Sequence, residues 1–113
     1  MIGAMPVASA IVVVLAIAVS SAAAATIEVH LKDQSFNPAA VSAKPGDSIV
    51  FRNDDKELHS IFLPDNEVLL AAHFIEPRTS YEVVIPATTA PATYELVCTI
   101  HMNMKGTLQI IAQ

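Results

Sequence analysis

Cysteine, positive charge and glycine are all scarce in this 113-residue chain: one Cys, six Lys and Arg against eleven Asp and Glu, and three Gly. One cysteine cannot close an internal disulfide. It also excludes covalent attachment of a c-type haem, which takes two cysteines in Cys-x-x-Cys-His. A net charge of −5 offers no basic surface for nucleic acid. No glycine-rich loop stands ready to bind an oxyanion, and no third group is visible to orient a Cys–His pair, which argues against a cysteine-nucleophile enzyme. Charge of either sign is missing from Met5 to Ala25.

That uncharged stretch holds the continuous apolar run Ile11 to Ala18, then Ser20-Ser21 and the small residues Ala22 to Ala25. It reads as a secretory leader over residues 1–25, cut at Ala23-Ala24-Ala25 with Thr26 first in the mature protein. No Lys or Arg precedes the run. At about 20 residues it is also long enough to span a bilayer as an uncleaved anchor, the only way this chain would meet a membrane. Either way residues 26–113 form one domain outside the cytoplasm, in the periplasm. A domain of about 88 residues buries roughly 60–65% of its unfolded surface and is marginal by size alone.

Within the domain the dominant pattern is short and alternating. Ile27, Val29 and Leu31 share one face of Thr26–Lys32, and Ser48–Arg52 is a second clear strand. Between them Gln34–Pro38 breaks the alternation, Val41 restores an apolar position, and Lys44-Pro45-Gly46-Asp47 is a turn. Ser60–Leu63, Arg78–Ile85, Thr93–Cys98 and Thr107–Ala112 complete the strands, while Glu67–Ile75 fits a short helix as well as a strand with a loop. Short strands separated by Pro, Gly and Asn/Asp turns predict an all-β sandwich or barrel.

The chemistry gathers in Cys98-Thr-Ile-His101-Met-Asn-Met104-Lys-Gly106. A lone Cys is by itself more often a buried, inert residue. Here a thiolate, an imidazole and a thioether follow one another at three-residue steps, and these are the donors copper prefers. A tight loop folds all three toward one point. A fourth donor has to come from elsewhere, and His59 is the best candidate. His30, on the polar face of the first strand, and His73, in the ambiguous segment, read as surface or packing residues. Asp54, Asp55 and Glu57 read as a solvated acidic loop.

Taken together, Phe36-Asn-Pro38, Pro45-Gly46-Asp47, Phe51-Arg-Asn53-Asp54, His59, Tyr94 and Cys98-x-x-His101-x-x-Met104-x-Gly106 resemble the type I (blue) copper proteins, the cupredoxins. The resemblance covers residues 26–113, and the short ligand loop is most similar to that of the amicyanins; plastocyanins and pseudoazurins have longer loops. It implies a Greek-key β-sandwich holding one mononuclear copper, with His59, Cys98 and His101 in a trigonal plane and Met104 as a long axial ligand. Met102 is the competing thioether, but it adjoins His101 and by alternation points away. Ile100 stands where relatives usually have Pro, implying a less rigid loop. Ser60 stands where an Asn commonly ties the two ligand segments, implying different support around the metal.

The activity implied is single-electron transfer by a monomer, without enzymatic turnover. A c-type cytochrome is the implied acceptor and a quinoprotein amine dehydrogenase the implied donor, with the acidic surface drawing in a basic partner. The alternative is a copper-binding or copper-delivery protein with no redox role.

Overall fold

The computed structural model describes residues 3–6, 8–15 and 23–113. Residues 3–6 and 8–15 form no helix or strand, and the rest of the expected leader up to Ala22 lies outside the described residues. Among the described residues no helix is long and apolar enough to cross a membrane.

Alternation makes the strands, and among the described residues nine are formed: β1 (Thr26–Lys32), β2 (Ser35–Asn37), β3 (Ala40–Ala43), β4 (Ser48–Asn53), β5 (His59–Ile61), β6 (His73–Ile75), β7 (Ser80–Val84), β8 (Ala92–Val97) and β9 (Lys105–Ile110). One sheet runs β2-β1-β4-β7 and another β3-β9-β8, while β5 and β6 pair by themselves. β1 lies parallel to β4 and β3 parallel to β9; the other pairs are antiparallel. The inward residues of the two larger sheets meet in one core. Val29, Leu31, Ile49, Phe51 and Val83 come from the first sheet, and Val41, Ala43, Leu96, Leu108 and Ile110 from the second. This is the all-β sandwich that the alternation predicts.

Two short strands lie where the pattern gives no clear signal. Asp33 and Gln34 both take positive φ, 52° and 54°, the conformation a two-residue hairpin needs to match strand twist. The chain therefore folds straight back, and Phe36 of β2 pairs with Leu31 of β1. Glu67–Ile75 resolves as turns followed by β6, with no helix. His59 then pairs with Ile75, and Phe62 bridges to Val97, which ties this small ribbon to the end of β8.

The turn between β3 and β4 is held by Asp47. Its carboxylate accepts from the amides of Lys44 at 2.9 Å and Ala25 at 2.8 Å, while Gly46, at φ 92°, makes the bend a side chain would resist. Because the Ser48 amide also donates to the Ala25 carbonyl at 2.9 Å, the folded unit starts at Ala25. Gly106 answers to a close approach instead. A Cβ there would lie 2.5 Å from the carbonyl oxygen of Ala39, so β9 packs against that backbone only because position 106 has no side chain.

His30 is more engaged than an exposed strand position predicts. Its Nδ1 lies 2.5 Å from an Asp54 oxygen and its Nε2 3.2 Å from Glu28, and Arg52 Nε reaches the other Asp54 oxygen at 3.0 Å. The His30 hydrogen bond is the main reason the Asp54 carboxyl is held below the usual carboxylate range. Arg78 also donates to the Asp54 backbone carbonyl. The loop after β4 is thus clamped to the sheet. His73 is a packing residue as expected, stacked on Tyr81 with ring centroids 3.6 Å apart.

Candidate metal centre

The start of β5 and the end of β8 lie at the same edge of the sandwich, and each delivers a donor there. His59 opens β5 and is fully buried; Cys98 follows β8 and is 3% exposed. The chain then turns back into β9 through a loop that closes on itself. The Cys98 amide donates to the Met104 carbonyl at 3.1 Å, and the Met104 amide to the His101 carbonyl at 3.0 Å. These bonds fix the loop without the proline that Ile100 replaces.

Three of the expected donors converge. His59 Nδ1 and His101 Nδ1 are 3.2 Å apart, and Cys98 Sγ is 3.5 Å from His101 Nδ1. The donor atoms of the three residues all lie within 4.8 Å of one another. Nitrogen and sulfur donors bonded to one small first-row ion at about 2.0–2.3 Å, with angles near 100–120°, stand roughly 3.1–3.8 Å apart. Two imidazole nitrogens and one thiolate at this spacing are the His₂Cys donor set of type I copper, and they fit a single such ion. Met104 is 1% exposed at the foot of the same loop, whereas Met102 is 90% exposed.

Around the donors the polar groups are spoken for. Ser60 donates its backbone amide to Cys98 Sγ at 3.3 Å, and its hydroxyl lies 3.7 Å from the same sulfur. That hydroxyl also accepts from the Thr99 amide at 2.7 Å and lies 2.6 Å from Thr99 Oγ1. Ser60 therefore ties the His59 and Cys98 segments together, the role in which an Asn is commonly found. Support at this point is of a different kind but is not lost.

The acidic loop before β5 is only partly the solvated loop the sequence predicts. Asp55 Oδ2 sits 2.6 Å from His59 Nε2, with the Asp55 side chain only 16% exposed. Glu57 Oε2 lies 3.6 Å from His101 Nε2. Burial pushes the Asp55 carboxyl up, but the His59 hydrogen bond, the Asp33 amide and the charges of His59 and Lys32 outweigh it, so the group stays below its ordinary range. Asn53, wholly buried at the end of β4, shapes this loop. Its Nδ2 donates to the carbonyls of Glu57 at 2.7 Å and Ile75 at 2.9 Å, and its Oδ1 accepts from the Asp55 amide at 2.9 Å. Sequence reasoning missed Asp55 and Glu57 as partners of the imidazoles; the one available signal was that both precede His59 by four residues or fewer.

Comparison with known proteins agrees with this architecture. Two solved amicyanin mutants share the fold: a reduced-state structure at 20% identity and TM-score 0.64, and a reduced Cu(I) form at pH 4 at 19% identity and TM-score 0.65. Each match covers 76% of this chain and 82% of the amicyanin chain. A copper-containing nitrite reductase from Thermus scotoductus SA-01 matches at 19% identity and TM-score 0.63, over 76% of this chain but 22% of its own. No curated protein matches the sequence. The cupredoxin-like domain family matches residues 6–110, and with that span and a His-Cys-His cluster at the sheet edge, the chain belongs to the cupredoxins.

Proposed function

We propose that this protein is an exported electron carrier in which His59, Cys98 and His101, together with the thioether of Met104, would hold one copper ion. The observation that carries this reading is the convergence of two Nδ1 atoms and one Sγ at 3.2 and 3.5 Å, with the sulfur further held by the Ser60 amide. When bound, copper supplies a one-electron couple. The chain's part is to keep the donors still, so that little has to rearrange as charge comes and goes, and to keep water off the thiolate. Cys98 is too deeply buried to serve as a nucleophile toward a substrate.

Electrons enter and leave at His101, whose side chain is 18% exposed. Ile100 and Met102 flank it and are exposed, giving a small apolar patch suited to brief docking. We assign the periplasm as the compartment, a c-type cytochrome as acceptor and, by likeness to amicyanins, a quinoprotein amine dehydrogenase as donor. The carrier works as a monomer. Residues ahead of the domain act as its export leader. Processing that leaves Ala25 in place keeps both of that residue's bonds to the fold.

The test is the visible spectrum of the copper-loaded protein. An oxidised form with one copper and an intense thiolate-to-copper band in the red supports the carrier, and Cys98→Ser removes the band. A colourless Cu(II) form, or Cu(I) that exchanges freely to a chelator, points to copper delivery instead. Met102→Lys, keeping the band, should slow electron self-exchange measured by NMR line broadening, because two like-charged patches then have to meet. An unchanged rate moves the exit away from His101.

A further inference from the structure

Two imidazoles meet at the metal centre through Nδ1, and their outer nitrogens both face carboxylates from a single turn. Asp55 and Glu57 sit two residues apart in the segment that leads from β4 into β5. The turn is built rather than loose: buried Asn53 pins it at both ends through the Asp55 amide and the Glu57 carbonyl, and the clamp of His30, Arg52 and Arg78 holds Asp54, the residue that leads into it. Of the two contacts, Asp55 to His59 is the hydrogen bond, at 2.6 Å. Glu57 to His101, at 3.6 Å and 54% exposed, is an electrostatic neighbour.

We propose that Asp55 is a positioning residue for the metal centre: by accepting the Nε2 proton of His59, it fixes that ring's tautomer and orientation and leaves the Nδ1 lone pair aimed at Cys98 and His101. A neutral imidazole, the form that can ligate a metal, has one proton to place and one lone pair to offer. A carboxylate oxygen can only accept, so the proton goes to Nε2 and the lone pair to Nδ1. The negative charge on the far side of the ring also makes Nδ1 a stronger donor, an effect general to carboxylate–histidine–metal arrangements and worth about 10–100-fold in metal affinity. A stronger donor and a nearby negative charge both favour Cu(II) over Cu(I). Asp55 therefore holds the reduction potential down.

This inference rests on His59 being a copper ligand, and its test separates the two ideas. In the metal-free protein, the ¹⁵N shifts of the His59 ring should show the Nε2–H tautomer, with a slowly exchanging proton shifted far downfield. Asp55→Ala should lose that proton signal, Asp55→Glu should restore it, and Asp55→Asn should keep the tautomer because the amide oxygen still accepts. On copper-loaded protein, Asp55→Ala should weaken Cu(II) binding at least tenfold and move the potential upward. Asp55→Asn should also raise the potential, having lost the charge but not the acceptor. His59 carrying its proton on Nδ1 in the wild type overturns the proposal, whatever happens to a variant that fails to fold. So does an Asp55→Ala protein with wild-type potential and Cu(II) affinity. A colourless wild-type Cu(II) form together with the expected tautomer would instead refute the blue-copper reading while leaving Asp55 as the group that sets the His59 ring.

Discussion

Asn53→Ala is the substitution whose cost can be worked most directly from this structure. The side chain is 0% exposed and makes three hydrogen bonds, to the Glu57 and Ile75 carbonyls and from the Asp55 amide. Each such bond contributes about 1 kcal/mol net, and a buried polar group left without its partner costs about 1–3 kcal/mol. The Ile75 carbonyl is the group that stays buried; the other two lie near enough to the surface for water to replace the side chain. The sum is roughly 3–5 kcal/mol, a large part of the ~5–15 kcal/mol that stabilises a small domain. At about 4–8 °C per kcal/mol for this size, the melting temperature should drop by roughly 12–40 °C. Thermal unfolding followed by circular dichroism is the assay, done on the metal-free protein because bound copper would stabilise the native state by mass action. Asn53→Asp should do no better, since its second oxygen would face two carbonyls that need a donor. If Asn53→Ala melted within a few degrees of wild type, the turn would be held by something other than Asn53, and the account of its construction would be wrong.

Met104→Gln, offering a harder oxygen donor, should favour Cu(II) and lower the reduction potential, while Met102→Gln at the exposed position should change it little; voltammetry that ranked them the other way would exchange the axial assignment. Asp47, whose carboxyl is held below the usual range first by the Lys44 amide and then by that of Ala25, contributes stability that is complete above the unfolded carboxylate pKa and is lost as pH falls through the depressed folded value. Asp47→Asn should therefore flatten the acid limb of stability against pH, read from urea titrations between neutral and strongly acid buffer. Gly106→Ala pushes a methyl group against the Ala39 carbonyl, which also accepts the Thr107 amide at 2.8 Å; overpacking against backbone should cost about 1–3 kcal/mol in denaturant unfolding.

Sequence and structure agree where one residue type repeats with a period of two. Ile27, Val29 and Leu31, or Ile49 and Phe51, announce both strand and face, because a strand half in the core has no other way to bury its apolar side chains. β2 and β6 are three residues long and owe their existence to partners: Phe36 extends because Leu31 lies beside it, and His73 because Ile61 does. A window along the chain holds no trace of that. The metal centre divides the same way. Of the cluster that converges, Cys98 and His101 were legible because one loop carries them, and His59 because it was a histidine in the right neighbourhood. Ser60 with Thr99 was not legible, since a contact 39 residues apart in sequence leaves no local mark. Asp55 looked like any acid in a polar loop until Asn53 bent that loop toward the ring.

The position of the centre follows from how these ties are distributed. The donors come from two segments, one opening β5 and one closing β8, and a rigid site needs those segments fixed to each other as firmly as each is fixed to its sheet. Three contacts do this at successive depths: the Val97 amide on the Phe62 carbonyl at 3.0 Å, the Ser60 amide on Cys98 Sγ, and the Ser60 hydroxyl with Thr99. His59 is further held from outside by Asp55. His101 is the one imidazole on the loop rather than on a strand end, and its carboxylate neighbour stands too far off for a hydrogen bond. Rigidity is thus greatest at Cys98 and His59 and least at His101, the donor that reaches the surface. A centre built this way ties its inner donors most firmly and leaves the most freedom at the ring that reaches the surface.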